Sequence, residues 1–203
     1  MCMPSQYEED EILRHILPLT PKGLYVDIGA NQPWLHSNTA QYYKNGWSGL
    51  LVEVNPTLCE LLIDERPNDL VYQCAASNRN GIATLKLDTS EFSSLSSLQP
   101  DWHIENYTEI QVNVELTSTI LDKYCDIRDN ALLCSIDVEG HEKSVLQGID
   151  FSCFRPKVFI IESIGHKTGK QLWKEWEPIL VDNGYTFNTK TRNGLNRIYT
   201  LNV

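Results

Sequence analysis

The sequence predicts an α/β fold: a doubly wound, mostly parallel sheet with helices on both faces and an antiparallel hairpin at its C-terminal edge. Three observations carry this reading. Short apolar runs alternate with amphipathic segments of about ten residues, the rhythm of β-α-β units. Acidic residues close four of those runs, namely Asp27, Glu53, Asp137 and Glu162, and sheets of this kind bind ligands at the carboxyl ends of their strands. Near the end of the chain Asn193-Gly194 separates two alternating segments, the signature of a hairpin.

The elements follow in chain order. Residues 7–17 form an opening helix with Ile12, Leu13, Ile16 and Leu17 on one face, ended by Pro18 and Pro21. GLYVDIG (23–29) is a buried strand. SNTAQYYKNG (37–46) is a helix, capped by Ser37 or Asn38 and stopped at Gly46. SGLLVEV (48–54) is the second strand. NPTLCELLIDER (55–66) is the second helix, with Thr57 and Glu60 at capping-box spacing. DLVYQCAAS (69–77) is the third strand, followed by strand-like GIATLKL (81–87). Residues 88–110 carry no clean period and are rich in serine with interspersed aromatics; such a segment is either a functional lid or an ordinary surface excursion. QVNVELTS (111–118) alternates as a strand and TILDKYC (119–125) is a short helix. ALLCSIDVEG (131–140) is an apolar strand ending in Asp137, and HEKSVLQG (141–148) is a helix closed by Gly148. KVFIIES (157–163) is a buried strand ending in Glu162. GKQLWKEWEPILVDNG (169–184) is an amphipathic helix, and YTFNTK (185–190) with NRIYTLNV (196–203) forms the hairpin. The expected organisation is a helical extension over 1–22 and a single domain over 23–203 that carries the 88–110 insertion.

Composition narrows the function classes. The 203 residues hold one sizeable core, and 41% hydrophobic with 22% charged residues is ordinary for a globular protein. A formal charge of −10 argues against a nucleic-acid partner, which a basic face would have to hold, and against an anionic membrane surface. No apolar run approaches the ~20 residues of a membrane span. The acidic N-terminus lacks the basic-then-apolar plan of a signal peptide, so the expected location is the cytoplasm unless a targeting segment has been lost. Six cysteines, at 2, 59, 74, 125, 134 and 153, form no C-x-x-C and no zinc spacing with histidine. They read as small buried hydrophobes with free thiols.

The strand-end acids carry the chemistry. A dinucleotide site surrounds its pyrophosphate with glycines and helix-terminal N–H groups; Asp27 would repel that anion, and Gly29 stands alone. Asp27 could instead cap the turn of residues 29–31. Glu53, ending the next strand, can accept both hydroxyls of a ribose. Together the two acids favour S-adenosylmethionine, which has a ribose, an ammonium and a sulfonium but no phosphate. Its carboxylate needs donors, which Asn31, Ser37 and Asn38 could supply. In SIDVEGHE, Asp137 faces the reaction site, and His141 has the side chain best suited to remove a hydroxyl proton near neutrality. His141 could also be a helix-start residue bonded to a carboxylate. Glu139 is either solvated or paired with Lys143. Asp137 and Glu162 could share a divalent cation, although the four acids contain no sequence-adjacent metal signature.

VDIGAN, NGWSGLLVEVNP, AAS followed by Gly, SSL, SIDVEGHEKSVLQGIDF and PKVFIIE resemble the FkbM-type methyltransferases, over about residues 23–162. The resemblance implies a class I, Rossmann-like fold with a seven-stranded sheet. It implies methyl transfer from S-adenosylmethionine, typically to a hydroxyl oxygen of a natural product or sugar. It places Asp27, Gly29, Ala30 and Asn31 at the methionine moiety, Glu53 and the following Val54 at the ribose, Ala75 and Ala76 by the adenine, and Asp137 beside the methyl group. GANQPWLHSN departs from the glycine-containing turn common in the family, and VEVNP from VEPNP. The acceptor therefore does not follow from the family. Read this way, the protein is an O-methyltransferase for a small-molecule or glycan acceptor, with Asp137 or His141 taking the hydroxyl proton and Glu162 orienting the acceptor. A non-catalytic nucleoside-binding subunit and a nicotinamide-dependent oxidoreductase are the alternatives. Oligomeric state and pathway are not encoded in these motifs.

Overall fold

The computed structural model describes residues 8–89, 96–100, 104–165 and 169–202. Its elements are α1 (Glu9–Ile16), β1 (Leu24–Ile28), α2 (Ala40–Lys44), β2 (Ser48–Glu53), α3 (Pro56–Glu65), β3 (Leu70–Gln73), β4 (Ala75–Ser77), β5 (Gly81–Asp88) and β6 (Tyr107–Leu116). They continue with α4 (Thr117–Asp122), α5 (Cys125–Asn130), β7 (Ala131–Ile136), α6 (Glu142–Gln147), β8 (Val158–Glu162), α7 (Trp173–Asp182), β9 (Tyr185–Lys190) and β10 (Asn196–Leu201).

Seven strands form one sheet in the order β3-β2-β1-β7-β8-β10-β9. The first five run parallel, and β10 is antiparallel to both β8 and β9. This is the class I architecture the sequence predicts. Strand order reverses between β1 and β7, which pair directly, with Asp27 opposite Ser135. A crevice opens at such a switch point.

The central parallel strands β1, β2, β7 and β8 are largely apolar because both faces are covered. Side chains alternate between two cores, as the two-residue period of a strand requires. Val26, Ile28, Leu50, Val52, Cys134, Ile136, Phe159 and Ile161 face one layer with Ile120, Val145, Leu146, Trp176 and Leu180. Tyr25, Leu51, Leu133, Ile160 and Ile198 face the other, with Leu13, Leu17, Tyr42 and Leu62. Asp27 and Glu53 therefore lie on the face of Tyr25 and Leu51, toward α1, α2 and α3.

Several expectations are corrected. The third strand is two strands: β3 belongs to the main sheet, and β4 joins a three-stranded sheet in the order β4-β6-β5. Cys74 sits between them. Neither Ser37 nor Asn38 caps α2; its N-cap is Thr39, whose hydroxyl is committed to Asp27 at 2.7 Å. No capping box forms at Thr57, because Asn55 occupies the N-cap of α3 and its side chain accepts from the Thr57 amide at 3.0 Å. Helix α5 was hidden in a polar stretch. Cys59, Cys74 and Cys134 are buried as expected, whereas Cys125 and Cys153 are exposed. Cys2 and part of the 88–110 segment lie outside the described residues. Among the described residues, no helix is long and apolar enough to cross a membrane.

Candidate active site

At the carboxyl ends of β1, β2, β3, β7 and β8 a cavity of about 210 Å³ opens, with the first residues of β4 in its wall. One water needs ~10–15 Å³, so the space fits a ligand. Its walls include every strand-end acid named from the sequence, together with Gly29, Ala30, Asn31, Ser37, Asn38, Val54, Ala75, Ala76 and His141.

The crossing of β1 and β7 creates the floor. Ile28 accepts from the Asp137 amide at 2.9 Å, and the Gly29 amide donates to Val52 at 2.8 Å. Gly29 has φ +82°, and a Cβ there would lie 1.8 Å from the Asp137 carbonyl oxygen. Only glycine fits where the two strand ends touch. Asn31 follows in the left-handed region at φ +52°, which asparagine tolerates.

Glu53 is held by three backbone amides: Oε1 accepts from Val54 and Asn55 and Oε2 from Asn31, each at 2.8 Å. Burial pushes its pKa up, and these amides oppose the shift. A carboxylate has about four lone-pair sites, so one remains for the cavity. The Asn31 contact also binds the first loop to the second strand. The turn at 29–31 is thus anchored by Glu53, not capped by Asp27. Asp27, 3% exposed, accepts from the Thr39 hydroxyl through Oδ2 at 2.7 Å. Burial raises its pKa; the Thr39 bond, the Arg66 charge and a Ser135 hydroxyl bond lower it. The Asn38 amide donates to Ser135 at 3.2 Å, and Ser37 accepts from Arg66 at 3.3 Å. Both residues are buried. The departing loop is pinned from outside, where Trp34 donates to Glu65 at 2.9 Å and meets Tyr43 edge-on at 5.7 Å.

At the other end, Asp137 is half-buried, and its carboxyl is pushed up to about 7, first by burial and then by Glu142, Asp27, Glu9 and Glu53. Glu162 lies 3% exposed, with Oε2 lacking a hydrogen-bond partner among the described residues. Glu142, unnoticed in the sequence, bridges the acids. Its Oε1 accepts from Val138 at 3.2 Å and Gly140 at 3.0 Å, and its carboxyl lies within electrostatic reach of that of Glu162. Two buried carboxyls this close do not readily both ionise. Burial, then the Asp137, Glu142 and Glu139 charges, holds the Glu162 pKa well above its ordinary value. Among the described residues, no group of three or more His, Cys, Asp or Glu is placed to hold a metal ion.

Among the described residues, no carboxylate is hydrogen-bonded to His141. Its Nε2 lies 3.0 Å from the Ser77 hydroxyl and its Nδ1 3.2 Å from the Gln99 amide nitrogen. That nitrogen also donates to the Gly140 carbonyl at 3.2 Å, which orients the amide as a donor. Nδ1 is therefore the acceptor and Nε2 carries the hydrogen. Burial, then the Arg79 charge, lowers the His141 pKa. Both ring nitrogens are engaged, and the lowered pKa favours the neutral imidazole. Gln99, Ser97 and Leu98 come from the 88–110 segment. Ser97 donates to the Glu139 carbonyl at 2.7 Å, so the described part of this segment is tied to the SIDVEGHE turn.

Five carboxylates (Asp27, Glu53, Asp137, Glu139 and Glu162) and no lysine or arginine line the cavity among the described residues. That lining suits a cationic nucleoside and gives no counter-charge for a pyrophosphate. The residues present fit S-adenosylmethionine: amide-braced Glu53 for the ribose, and Asp27 and Asp137 for positive charge.

The sequence model of the methyltransferase FkbM domain matches residues 27–187. No curated protein matches the chain. Among solved structures, the chain is similar to an O-methyltransferase from Bacillus cereus in complex with SAH, at 10% identity and TM-score 0.55, with 100% of this chain and 84% of that one covered. It is similar to a TehB-like SAM-dependent methyltransferase from Corynebacterium glutamicum, at 11% identity and TM-score 0.54, with 97% and 88% covered. It is also similar to Aeropyrum pernix fibrillarin with natively bound S-adenosyl-L-methionine, at 12% identity and TM-score 0.51, with 94% and 72% covered. At such identities the likeness is one of fold.

Proposed function

The chain belongs to the FkbM methyltransferase family, and from that premise we propose that this S-adenosylmethionine-dependent methyltransferase methylates a hydroxyl oxygen of a small-molecule or glycan acceptor. One observation carries the proposal. The Asp137 carboxyl, crowded by burial and neighbouring acids, stands in the same cavity as Asp27, Glu53 and a Glu162 oxygen that has no hydrogen-bond partner among the described residues. When bound, S-adenosylmethionine supplies a methyl group already activated on a sulfonium.

The residues then divide the work. Glu53 accepts from the ribose. Asp27 accepts from the ammonium, with Ser37 and Asn38 near the carboxylate. Gly29, Ala30 and Asn31 form the floor, and Val54, Ala75 and Ala76 flank the base. Asp137, raised by burial and acidic neighbours, would face the positive charge of the bound cofactor and would be the group to take the proton that the acceptor hydroxyl releases. His141, doubly bonded and favoured as the neutral imidazole, is better suited to hold the Ser77–Gln99 wall than to act as base. Glu162 offers Oε2 to the acceptor. The net charge of −10 favours a small or glycan acceptor over RNA.

The test is transfer of labelled methyl from S-adenosylmethionine to a panel of hydroxylated metabolites, glycans and amines, with the product bond identified by mass spectrometry. A methyl ether supports the reading. Labelled amines or carbon-bound methyl refute it, and no transfer across the panel favours the non-catalytic alternative.

A further inference from the structure

Behind Asp27, outside the cavity walls, lies a buried guanidinium that the mechanism does not use. Arg66 follows α3 and is 0% exposed. Its Nε meets Asp69 at 2.7 Å, its Nη2 donates to the Tyr25 hydroxyl at 2.7 Å and to Thr39 at 3.0 Å, and its Nη1 donates to Ser37 at 3.3 Å. Thr39 accepts from Arg66 and spends its only proton on Asp27 at 2.7 Å. Asp69 is further held by the Tyr25 hydroxyl at 2.7 Å and the Gly49 amide at 2.7 Å. The array has one buried cation and two carboxylates, Asp69 and Asp27. One negative charge is in excess, and it is the one that borders the cavity.

We propose that Arg66 is a positioning residue for the cofactor: acting through Thr39, it fixes the Asp27 carboxylate as an ionised acceptor for the ammonium of S-adenosylmethionine. A hydroxyl polarised by a guanidinium is a stronger donor than a free one, and a charge-assisted bond of this kind favours the ionised carboxylate. The other charged or titratable groups facing Asp27 act against it or are thiols. Glu53 at the end of β2 and Asp137 after β7 are like charges, and Cys134 on β7 is a buried thiol. Ser135 adds a neutral hydroxyl. Arg66 is thus the cation available to Asp27 among the described residues around it.

The inference rests on Asp27 as the ammonium acceptor. The experiment separates the two by titration calorimetry between pH 5 and 8. It uses S-adenosylhomocysteine, which has the ammonium, and 5′-methylthioadenosine, which does not. Asp27→Asn should weaken only S-adenosylhomocysteine; retained affinity overturns the role of Asp27 itself. Thr39→Val should move the acid limb of S-adenosylhomocysteine affinity up by about one pH unit, a ~10-fold loss on that limb. Methylthioadenosine should be unaffected, and Thr39→Ser should behave as wild type. A uniform loss with an unchanged pH profile overturns the relay, as does a parallel loss of methylthioadenosine affinity. Should Thr39→Val not fold, Arg66→Lys, which lacks the branched fork that reaches Thr39 and Asp69 together, is expected to give the same shift. Its absence there is equally decisive against the proposal.

Discussion

Cofactor binding should release a proton from Asp137, and the amount follows from its surroundings. With its carboxyl at about 7, Asp137 is half-protonated at neutral pH in the free protein. A unit cation ~4 Å away contributes about 4 kcal/mol at an effective dielectric of ~20, or roughly three pKa units. That returns the carboxyl to its ordinary range. Binding of S-adenosylmethionine at pH 7 therefore expels about half a proton, nearly one at pH 5.5 and almost none at pH 8.5. The sign is fixed: the bound form holds fewer protons than the free form, so affinity rises with pH up to about 7 and then levels off. Calorimetry in two buffers of unequal ionisation enthalpy, such as phosphate and Tris, counts the protons. S-adenosylhomocysteine lacks the sulfonium charge and should expel fewer. Asp137→Asn should reduce the count for S-adenosylmethionine toward that of its demethylated product. Equal proton release from wild type and Asp137→Asn at pH 7 would refute the reasoning, since the expelled proton would then belong to another group.

The remaining predictions concern the neighbours of Asp137. His141→Ala should lower turnover yet leave the acid limb of the turnover profile in place, because that limb belongs to Asp137; loss of the limb in His141→Ala would restore the histidine as base. Glu142→Gln should change unfolding free energy by less than ~1 kcal/mol in urea titrations, since its amide keeps an oxygen for the Val138 and Gly140 amides and gives Glu162 a donor. Glu142→Ala should cost about 2–4 kcal/mol, because two buried backbone donors lose their acceptor. Equal effects of the two substitutions would mean that packing, not hydrogen bonding, holds the turn.

Much of the main sheet was legible because its signals are local. An apolar run that ends in an acid identifies β1, β2, β7 and β8 without knowledge of their neighbours, and the same pattern brought Asp27, Glu53, Asp137 and Glu162 to one cavity. The failures arise where a tertiary partner overrides a local preference. Ser37 and Asn38 have the composition of an N-cap, but Arg66 and Ser135 claim their polar atoms. DLVYQCAAS reads as one strand, yet the Ala75–Ser77 segment pairs with Val114–Leu116 of a second sheet. Nothing local in the sequence marks that change of partner.

The two groups that sequence reading missed, Arg66 and Glu142, have a common physical origin. Each acts on an acid that the sequence does reveal, and each does so from another element in space. Arg66 in ERPND resembles a solvated charge after a helix, and Glu142 in GHEKS resembles a first-turn acid that favours the helix dipole. Each role arises from contacts made in space: Arg66 reaches Tyr25 and Thr39, and Glu142 braces the Val138 and Gly140 amides beside the adjacent ends of β1, β7 and β8. Adjacency crowds Asp27, Asp137, Glu142 and Glu162 within electrostatic reach, and like charges at that density cannot all ionise. The fold has two remedies. At the β1 end a guanidinium is supplied through Thr39, and it opposes the rise that burial imposes on the Asp27 pKa. At the β7–β8 end no lysine or arginine lines the cavity among the described residues, and burial with mutual repulsion raises the pKa of Asp137 and Glu162. The two ends of the cavity therefore differ: Asp27 has a buried guanidinium behind it, whereas the pKa values of Asp137 and Glu162 are raised by neighbouring carboxyls. On the proposed reading the first end suits the ammonium of the cofactor and the second the proton that the acceptor releases.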